Sequence, residues 1–154
     1  MFTKLKKSTS EKPEKGFTII EVMIVLAIAG LILLIVFLAV PALQRNSRNT
    51  QRKNDVQAVL GGISTYFSNN NGAAPGSLAD IQSEVKTSFY QTADIDFGTG
   101  NTAIATPSNS IMYIRIGGKC DGGNVGGTGA TSRSVAVVYA VETGSGTSIK
   151  CQDS

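Results

Sequence analysis

Residues 17–43 form an almost continuously apolar stretch, in which Thr18 and one acid, Glu21, are the polar exceptions. As a helix this stretch would be about 40 Å long, whereas the hydrocarbon core of a bilayer is about 30 Å thick. An ordinary secretory signal has an apolar region of only about 7–15 residues, so the stretch predicts a transmembrane helix that stays in the protein. A carboxylate within such a helix is costly unless it has a partner.

The segment before this stretch, residues 1–16, is polar and rich in lysine. Its five lysines stand against two glutamates, which gives +3, the formal charge of the whole chain. The rest of the chain is therefore neutral, and its charge gives no reason to expect nucleic-acid binding. Lysines beside a transmembrane segment favour the cytoplasmic side, so we expect the N-terminus inside the cell and the C-terminus outside.

The predicted helix continues beyond the apolar stretch, because residues 44–55 are polar but contain nothing that would end it. Apolar residues then recur at steps of three and four, as expected for one buried face of a helix. These residues are Val56, Val59, Leu60, Ile63 and Phe67. The run 69–72, three asparagines and a glycine, is expected to end the helix.

Four residues weaken this helix. Pro41 cannot donate a backbone hydrogen bond and crowds the preceding turn, so we expect a kink there. Gly30 is a second weak point. Gly61 and Gly62 each cost about 1 kcal/mol relative to Ala, a cost that a close approach to a sheet would offset.

The C-terminal part of the chain has the pattern of a small sheet. Three runs rich in β-branched and aromatic residues predict strands at 111–116, 134–141 and 147–151, the last two joined as a hairpin. Residues 73–110 are expected to be irregular, apart from a short helix at 77–85, with Ile95, Phe97 and Ile104 tucked under them. We therefore expect an α+β fold, an antiparallel sheet of three to four strands covered on one face by the helix.

Cys120 and Cys151 are the only cysteines, and in an exported domain such a pair predicts one disulfide. Closing that loop would stabilise the fold by about 3–4 kcal/mol. The chain has no His, the commonest general base and metal ligand. Asp94 and Asp96 are close in sequence but are interpreted as solvated surface. We expect no catalytic residues, no metal site and no cofactor.

The heptapeptide Lys15-Gly16-Phe17-Thr18-Ile19-Ile20-Glu21, with lysines before it and an apolar helix after it, resembles the class III signal of type IV pilins and pseudopilins. The resemblance is closest over residues 12–43. It implies that a prepilin peptidase cuts between Gly16 and Phe17 and that the new amine of Phe17 is methylated. It also implies that Glu21, the fifth residue of the mature chain, acts in filament assembly.

The resemblance gives each part of the chain an expected role. Residues 1–16 would be a cleaved cytoplasmic leader, residues 17–43 a transmembrane and filament-core helix, and residues 44–154 the rest of the helix with an extracellular domain. In the filament, Glu21 would neutralise the Phe17 amine of an adjacent copy. The helix would melt between Gly30 and Pro41, although the proline of many family members falls at the position of Leu38.

The expected function is that of a structural subunit, the major pilin of a type IV pilus, which forms a helical homo-oligomer at the cell surface. Its expected partners are the prepilin peptidase, the assembly platform and ATPase machinery, and membrane lipid before assembly. A minor pilin or a type II secretion pseudopilin is the alternative. A single-pass membrane-anchored binding protein would explain the lysines and the apolar stretch, but not the Gly16-Phe17 and Glu21 arrangement.

A group of basic residues follows the apolar stretch: Arg45, Arg48, Arg52 and Lys53. They could contact DNA, but they lie where subunits of a filament must pack. We therefore expect them to pair with acids of neighbouring subunits, and we predict no specific nucleic-acid partner.

Overall fold

The computed structural model describes residues 16–105 and 107–154, so most of the predicted leader, residues 1–15, lies outside the described residues, as does Thr106. The described residues divide into two units, a first one that ends at Ala39 and a second one that begins at Val40. One helix, α1, spans Ile19–Asn69 and therefore contributes residues to both units.

Within the first unit, every side chain from Phe17 to Ala39 is exposed. Helix α1 is long and apolar enough to cross a membrane, and none of its most apolar stretch is buried by the described residues. An apolar surface of this extent is stable only where lipid or another protein covers it. The prediction of an apolar helix in this region is confirmed.

Helix α1 ends where the sequence predicted, at Asn69. Asn71 and Gly72 adopt left-handed backbone conformations, with φ angles of 53° and 82°. The N–H of Gly72 donates to the carbonyl oxygen of Phe67 at 2.7 Å, which satisfies one of the carbonyls left free at the helix end. Glycine suits this position because it adopts a positive φ without a steric penalty.

The described residues of the second unit form six strands. In chain order they are β1 (Ile95–Thr99), β2 (Met112–Ile116), β3 (Cys120–Asp121), β4 (Asn124–Val125), β5 (Val135–Glu142) and β6 (Thr147–Asp153). Four strands form the main sheet in the order β1-β2-β5-β6, and β3 and β4 form a small separate hairpin. The α+β prediction is confirmed, as are the three predicted strands, with their ends shifted by one or two residues.

The sheet is mixed rather than wholly antiparallel as predicted. Strands β2, β5 and β6 pair antiparallel, but β1 pairs parallel with β2, with Ile95 opposite Met112. Strand β1 was not predicted, because its sequence is short, half-polar and contains Gly98. Because β1 and β2 are parallel, they cannot be joined by a tight hairpin, and a longer connection separates them in the sequence.

The sheet is covered on both faces. On one face the predicted helix residues pack with side chains of β2 and β5 in the main core: Val56, Val59, Ile63, Phe67, Ile114 and Val137. On the other face a smaller cluster joins Tyr113, Val125, Ala136 and Val138. Strand β5 is therefore buried on both sides, which explains its nearly unbroken apolar sequence.

The segment predicted to be irregular contributes to both clusters. Ile95 and Phe97 pack against the main core, although from strand β1 rather than from an irregular segment, and Ile104 packs against the smaller cluster. The predicted helix at 77–85 is only a four-residue 3₁₀ turn, Leu78–Ile81. A carboxylate oxygen of Asp80 accepts the backbone N–H of Ser77 at 2.8 Å and closes this turn.

The adjacent glycines of α1 have different surroundings. A Cβ at Gly61 would meet open space, whereas a Cβ at Gly62 would collide with the side chain of Val85 and lie 3.3 Å from the carbonyl oxygen of Glu84. The expected close approach therefore exists at Gly62 only, and the approaching segment is 84–85 rather than a strand. It offsets the helix cost of Gly62, whereas nothing offsets that of Gly61.

The two glycines supply a matched pair of variants. Gly61→Ala should raise the free energy of unfolding by about 0.5–1 kcal/mol, because alanine favours the helix. Gly62→Ala should lower it, because overpacking typically costs about 1–3 kcal/mol. Urea unfolding of the detergent-solubilised chain, followed by circular dichroism, measures both. Equal effects at the two positions would contradict the packing at Gly62.

Candidate functional site

The N-terminal motif forms a helix cap in which Thr18 and Glu21 bond to each other. The backbone N–H and the hydroxyl of Thr18 donate to Oε2 of Glu21 at 2.8 and 2.7 Å. In return, the hydroxyl oxygen of Thr18 accepts the backbone N–H of Glu21 at 3.3 Å. This is a capping box, which satisfies N–H groups that every helix leaves free at its first turn.

The cap gives the Glu21 carboxylate a hydrogen-bond partner within its own chain, whereas the sequence predicted a partner only in an adjacent copy. Both bonds from Thr18 go to the same oxygen, Oε2, and its position in the first turn also favours a negative charge. Threonine followed three residues later by glutamate, just before an apolar run, is the sequence pattern of a capping box. The pattern was present in the sequence but was not recognised.

The same turn lines an open groove of about 450 Å³. Four apolar side chains and one carboxylate form its walls: Phe17, Val22, Val25, Leu26 and Glu21. Glu21 is thus the single charged residue in an otherwise apolar surface. Such a groove can accept an apolar group that carries one positive charge.

The remaining predicted residues of the N-terminal region lie just before α1 or within it. Gly16 and Phe17 are exposed, so the expected cleavage bond lies at the surface of the chain. Gly30 and Pro41 both lie within α1, and a Cβ at Gly30 would meet nothing within 4 Å. Melting of the helix between these two residues stays a prediction.

Cys120 and Cys151 form the predicted disulfide, with their Cα atoms 5.7 Å apart. The bond ties the small hairpin, at the start of β3, to the edge strand β6. The backbone N–H of Cys120 also donates to Oδ2 of Asp153 at 2.9 Å, so the same contact is reinforced by a charged acceptor. The disulfide covers the second face of the sheet.

Three side chains of α1 hold the helix to the end of β5, and we call them the helix anchor: Arg48, Asn49 and Arg52. Arg48 Nε donates to Glu142 Oε1 at 2.9 Å, and Arg52 Nη2 lies 3.1 Å from the same oxygen. The side chain of Asn49 exchanges two 2.7 Å hydrogen bonds with the backbone of Glu142. The amide of Asn49 therefore pairs with β5 much as a neighbouring strand would.

These contacts revise the interpretation of the basic residues after the apolar stretch. Pairing between subunits is wrong for Arg48 and Arg52, because both pair with Glu142 of their own chain. The Arg48 hydrogen bond, helped by the charges of Arg48, Arg52 and Arg45, holds the pKa of the Glu142 carboxyl below its ordinary value, against a smaller opposing effect of burial.

A buried carboxylate, Asp55, extends this attachment. It accepts backbone N–H groups of Ser88, Phe89 and Tyr90 at 2.7, 2.7 and 3.0 Å, and also the hydroxyl of Ser88 at 3.0 Å. The guanidinium of Arg52 lies over the ring of Phe89, 4.4 Å from its centre. Segment 88–90 is thereby fixed against α1.

The role of Asp55 was not predicted. The residue falls at a position of the helix face that the apolar period assigns to the core, and an isolated acid there is the only sequence signal of a buried, satisfied carboxylate. Within residues 16–105 and 107–154, no group of three or more His, Cys, Asp or Glu side chains could hold a metal ion.

Comparison with known proteins adds one finding about the N-terminal region. Residues 12–37 match the family model of the prokaryotic N-terminal methylation motif. The match supports the resemblance noted above, so the chain carries a class III signal peptide of the type IV pilin and pseudopilin kind. Type IV pilins and pseudopilins are structural rather than enzymatic proteins. No curated protein and no solved structure matches the chain.

The helix anchor should make the stability of the chain depend on pH. Because the pKa of Glu142 in the folded state is below its ordinary value of 4.5, the ion pair stabilises the fold above that pH. This stabilisation is lost as the pH falls through the folded pKa. Glu142→Gln should therefore reduce the drop in thermal midpoint between pH 6 and pH 3. Identical pH profiles for the variant and the wild-type chain would contradict the pairing.

Proposed function

We propose that this chain is a subunit of a type IV pilus, and specifically the major pilin. The observation that carries the proposal is the methylation motif at 12–37, which includes most of the apolar helical surface that is exposed over residues 17–39. A motif that creates a modified N-terminus and a surface that needs covering are the two things a filament subunit requires.

The precursor is inserted in the cytoplasmic membrane with its lysines inside. Cleavage between Gly16 and Phe17 then removes the leader and creates an amine at Phe17, and methylation of that amine keeps its positive charge. Oε2 of Glu21 accepts both bonds from Thr18, whereas Oε1 accepts none from the described residues. Oε1 can therefore accept the Phe17 amine of an adjacent copy while the helix cap stays intact.

The exposed surface supports the same order of events. Lipid tails are as apolar as leucine, so transfer of residues 17–43 from lipid into a filament gains little hydrophobic energy. Packing between copies and charge pairing must therefore supply the free energy that favours the filament. When a carboxylate and an amine are both taken out of water, leaving either one unpaired is costly. Their pairing therefore fixes one register between neighbouring copies.

A minor pilin or a type II secretion pseudopilin belongs to the same assembly class and carries the same motif. Its assembly uses equivalent partners: a prepilin peptidase, a platform protein and an ATPase. The abundance of the chain in filaments sheared from the cell surface separates these roles, because a major pilin makes up most of the filament mass.

Processing is tested by the intact mass of the chain recovered from sheared surface filaments. We expect a chain that starts at Phe17, carries one additional methyl group and contains one disulfide. The membrane fraction of a strain without prepilin peptidase is the control and should contain the uncut precursor. A filament chain that starts at Met1 would contradict the proposal.

The role of the Glu21 charge is tested by two variants that differ in the cap. Glu21→Gln keeps a side chain that can complete the capping box, whereas Glu21→Ala removes it. If the charge pairs with a neighbouring amine, both variants should insert in the membrane and both should lose filaments in electron micrographs. Normal filaments from Glu21→Gln would show that the cap alone is needed.

A further inference from the structure

Three arginines follow the apolar stretch on one side of α1. Arg45, Arg48 and Arg52 are separated by steps of three and four residues, which place side chains on the same side of a helix. All three lie close enough to Glu142 for their charges to lower the pKa of its carboxyl. Three guanidinium groups around one carboxylate leave an excess of positive charge beside the end of β5.

Arg45 differs from the other two arginines because it has no ion-pair partner. Glu142 pairs with Arg48 and Arg52, whereas Arg45 forms no ion pair with another described residue. The side chain of Arg45 is only half-buried, so its guanidinium remains accessible to a further acceptor. A guanidinium can donate two parallel hydrogen bonds to a phosphate or a carboxylate.

The position of Arg45 along the helix gives the depth at which such an acceptor must lie. The apolar stretch ends at Leu43, and a helix rises by about 1.5 Å per residue, so Arg45 lies about 3 Å and Arg48 about 7.5 Å beyond that end. The headgroup layer of a bilayer is roughly 5–7 Å thick on each side of the hydrocarbon core. With Leu43 at the edge of the hydrocarbon, Arg45 therefore lies within the headgroup layer.

We propose that Arg45 binds the headgroup phosphate of an anionic phospholipid in the outer leaflet of the cytoplasmic membrane before assembly. The excess positive charge around Glu142 favours an anionic headgroup over a zwitterionic one. Binding to the headgroup layer opposes movement of the helix across the bilayer, so the contact holds the anchored chain at one depth. The inference rests on the proposed function, which places the start of the domain at the outer surface of that membrane.

The charges along α1 favour a lipid over a second copy as this partner. No acidic residue lies between Glu21 and Asp55. The α1 helix of a neighbouring copy in the same membrane would therefore bring another arginine to this depth, and Glu142 of that copy is already engaged by its own arginines. A soluble polyanion would have to enter the headgroup layer, whereas phospholipid phosphates already form it.

The test measures lipid binding by the cut, membrane-anchored chain, purified in non-ionic detergent from cells without the assembly ATPase. Native mass spectrometry gives the fraction of the chain that retains phosphatidylglycerol or, in parallel, phosphatidylcholine. We expect the wild-type chain to bind phosphatidylglycerol about fivefold more tightly, because one arginine near an anionic surface contributes about that factor. Arg45→Gln should remove this preference, whereas Arg45→Lys should keep most of it because the charge remains.

Lys150→Gln is the matched control, because it removes one positive charge from an exposed residue of β6. It should leave the preference for phosphatidylglycerol unchanged, and equal thermal midpoints show that the compared variants are folded. The proposal is overturned if the wild-type chain shows no preference, if Arg45→Gln keeps it, or if both charge-removing variants lose it equally.

Inorganic phosphate separates a lipid headgroup from free phosphate as the ligand of Arg45. It should not displace phosphatidylglycerol from the wild-type chain, because it lacks the acyl chains that hold the headgroup beside α1. Displacement would assign Arg45 to free phosphate and would overturn the lipid proposal. Failure of the proposed function is a different result, because the chain would then be missing from sheared surface filaments whatever its lipid preference.

Discussion

None of the described residues covers the apolar surface of residues 17–39, and this exposed surface constrains the rest of the molecule. A soluble domain would bury such a surface, and the domain in the second unit has already filled both faces of its sheet without it. The surface must therefore be covered from outside, first by lipid and then, in the proposed function, by other copies. Both surroundings are apolar, so they differ mainly in how closely they pack against the helix and in whether they offer a partner to a charged side chain.

Glu21 is the charged residue whose stabilisation differs between these two surroundings. Its bonds to Thr18 lower the cost of carrying a carboxylate into an apolar environment, because one oxygen is fully used by the helix end. The second oxygen still has the capacity to accept a donor. The carboxylate is therefore tolerated in the single chain, and a cationic partner would stabilise it further. Without the cap, the carboxylate would be costly to place in lipid before assembly. If both of its oxygens already accepted hydrogen bonds within the chain, pairing with another copy would add little stability.

The sequence predicted what depends on local pattern and missed what depends on distant pairing. The end of α1, the strands around Ile114 and Val137, and the disulfide all followed from periodicity, turn residues or cysteine count. Strand β1 was missed because Ile95–Thr99 is stabilised by its parallel neighbour and not by its own composition. The pairing of Glu142 with the arginines of α1 spans about 90 residues, a separation over which a single sequence gives no pattern.

The distribution of these interactions along the chain matters for assembly. The main core, the disulfide and the helix anchor all involve residues from Arg48 onward, so the fold of the domain does not require any particular environment for residues 17–39. In the proposed function, that separation would let the apolar segment exchange lipid for protein while the domain stays folded. Apolar packing alone is non-directional and leaves the register of neighbouring copies poorly defined. In the proposed filament the charge of Glu21 would define it, because a shift of one subunit would leave that charge unpaired.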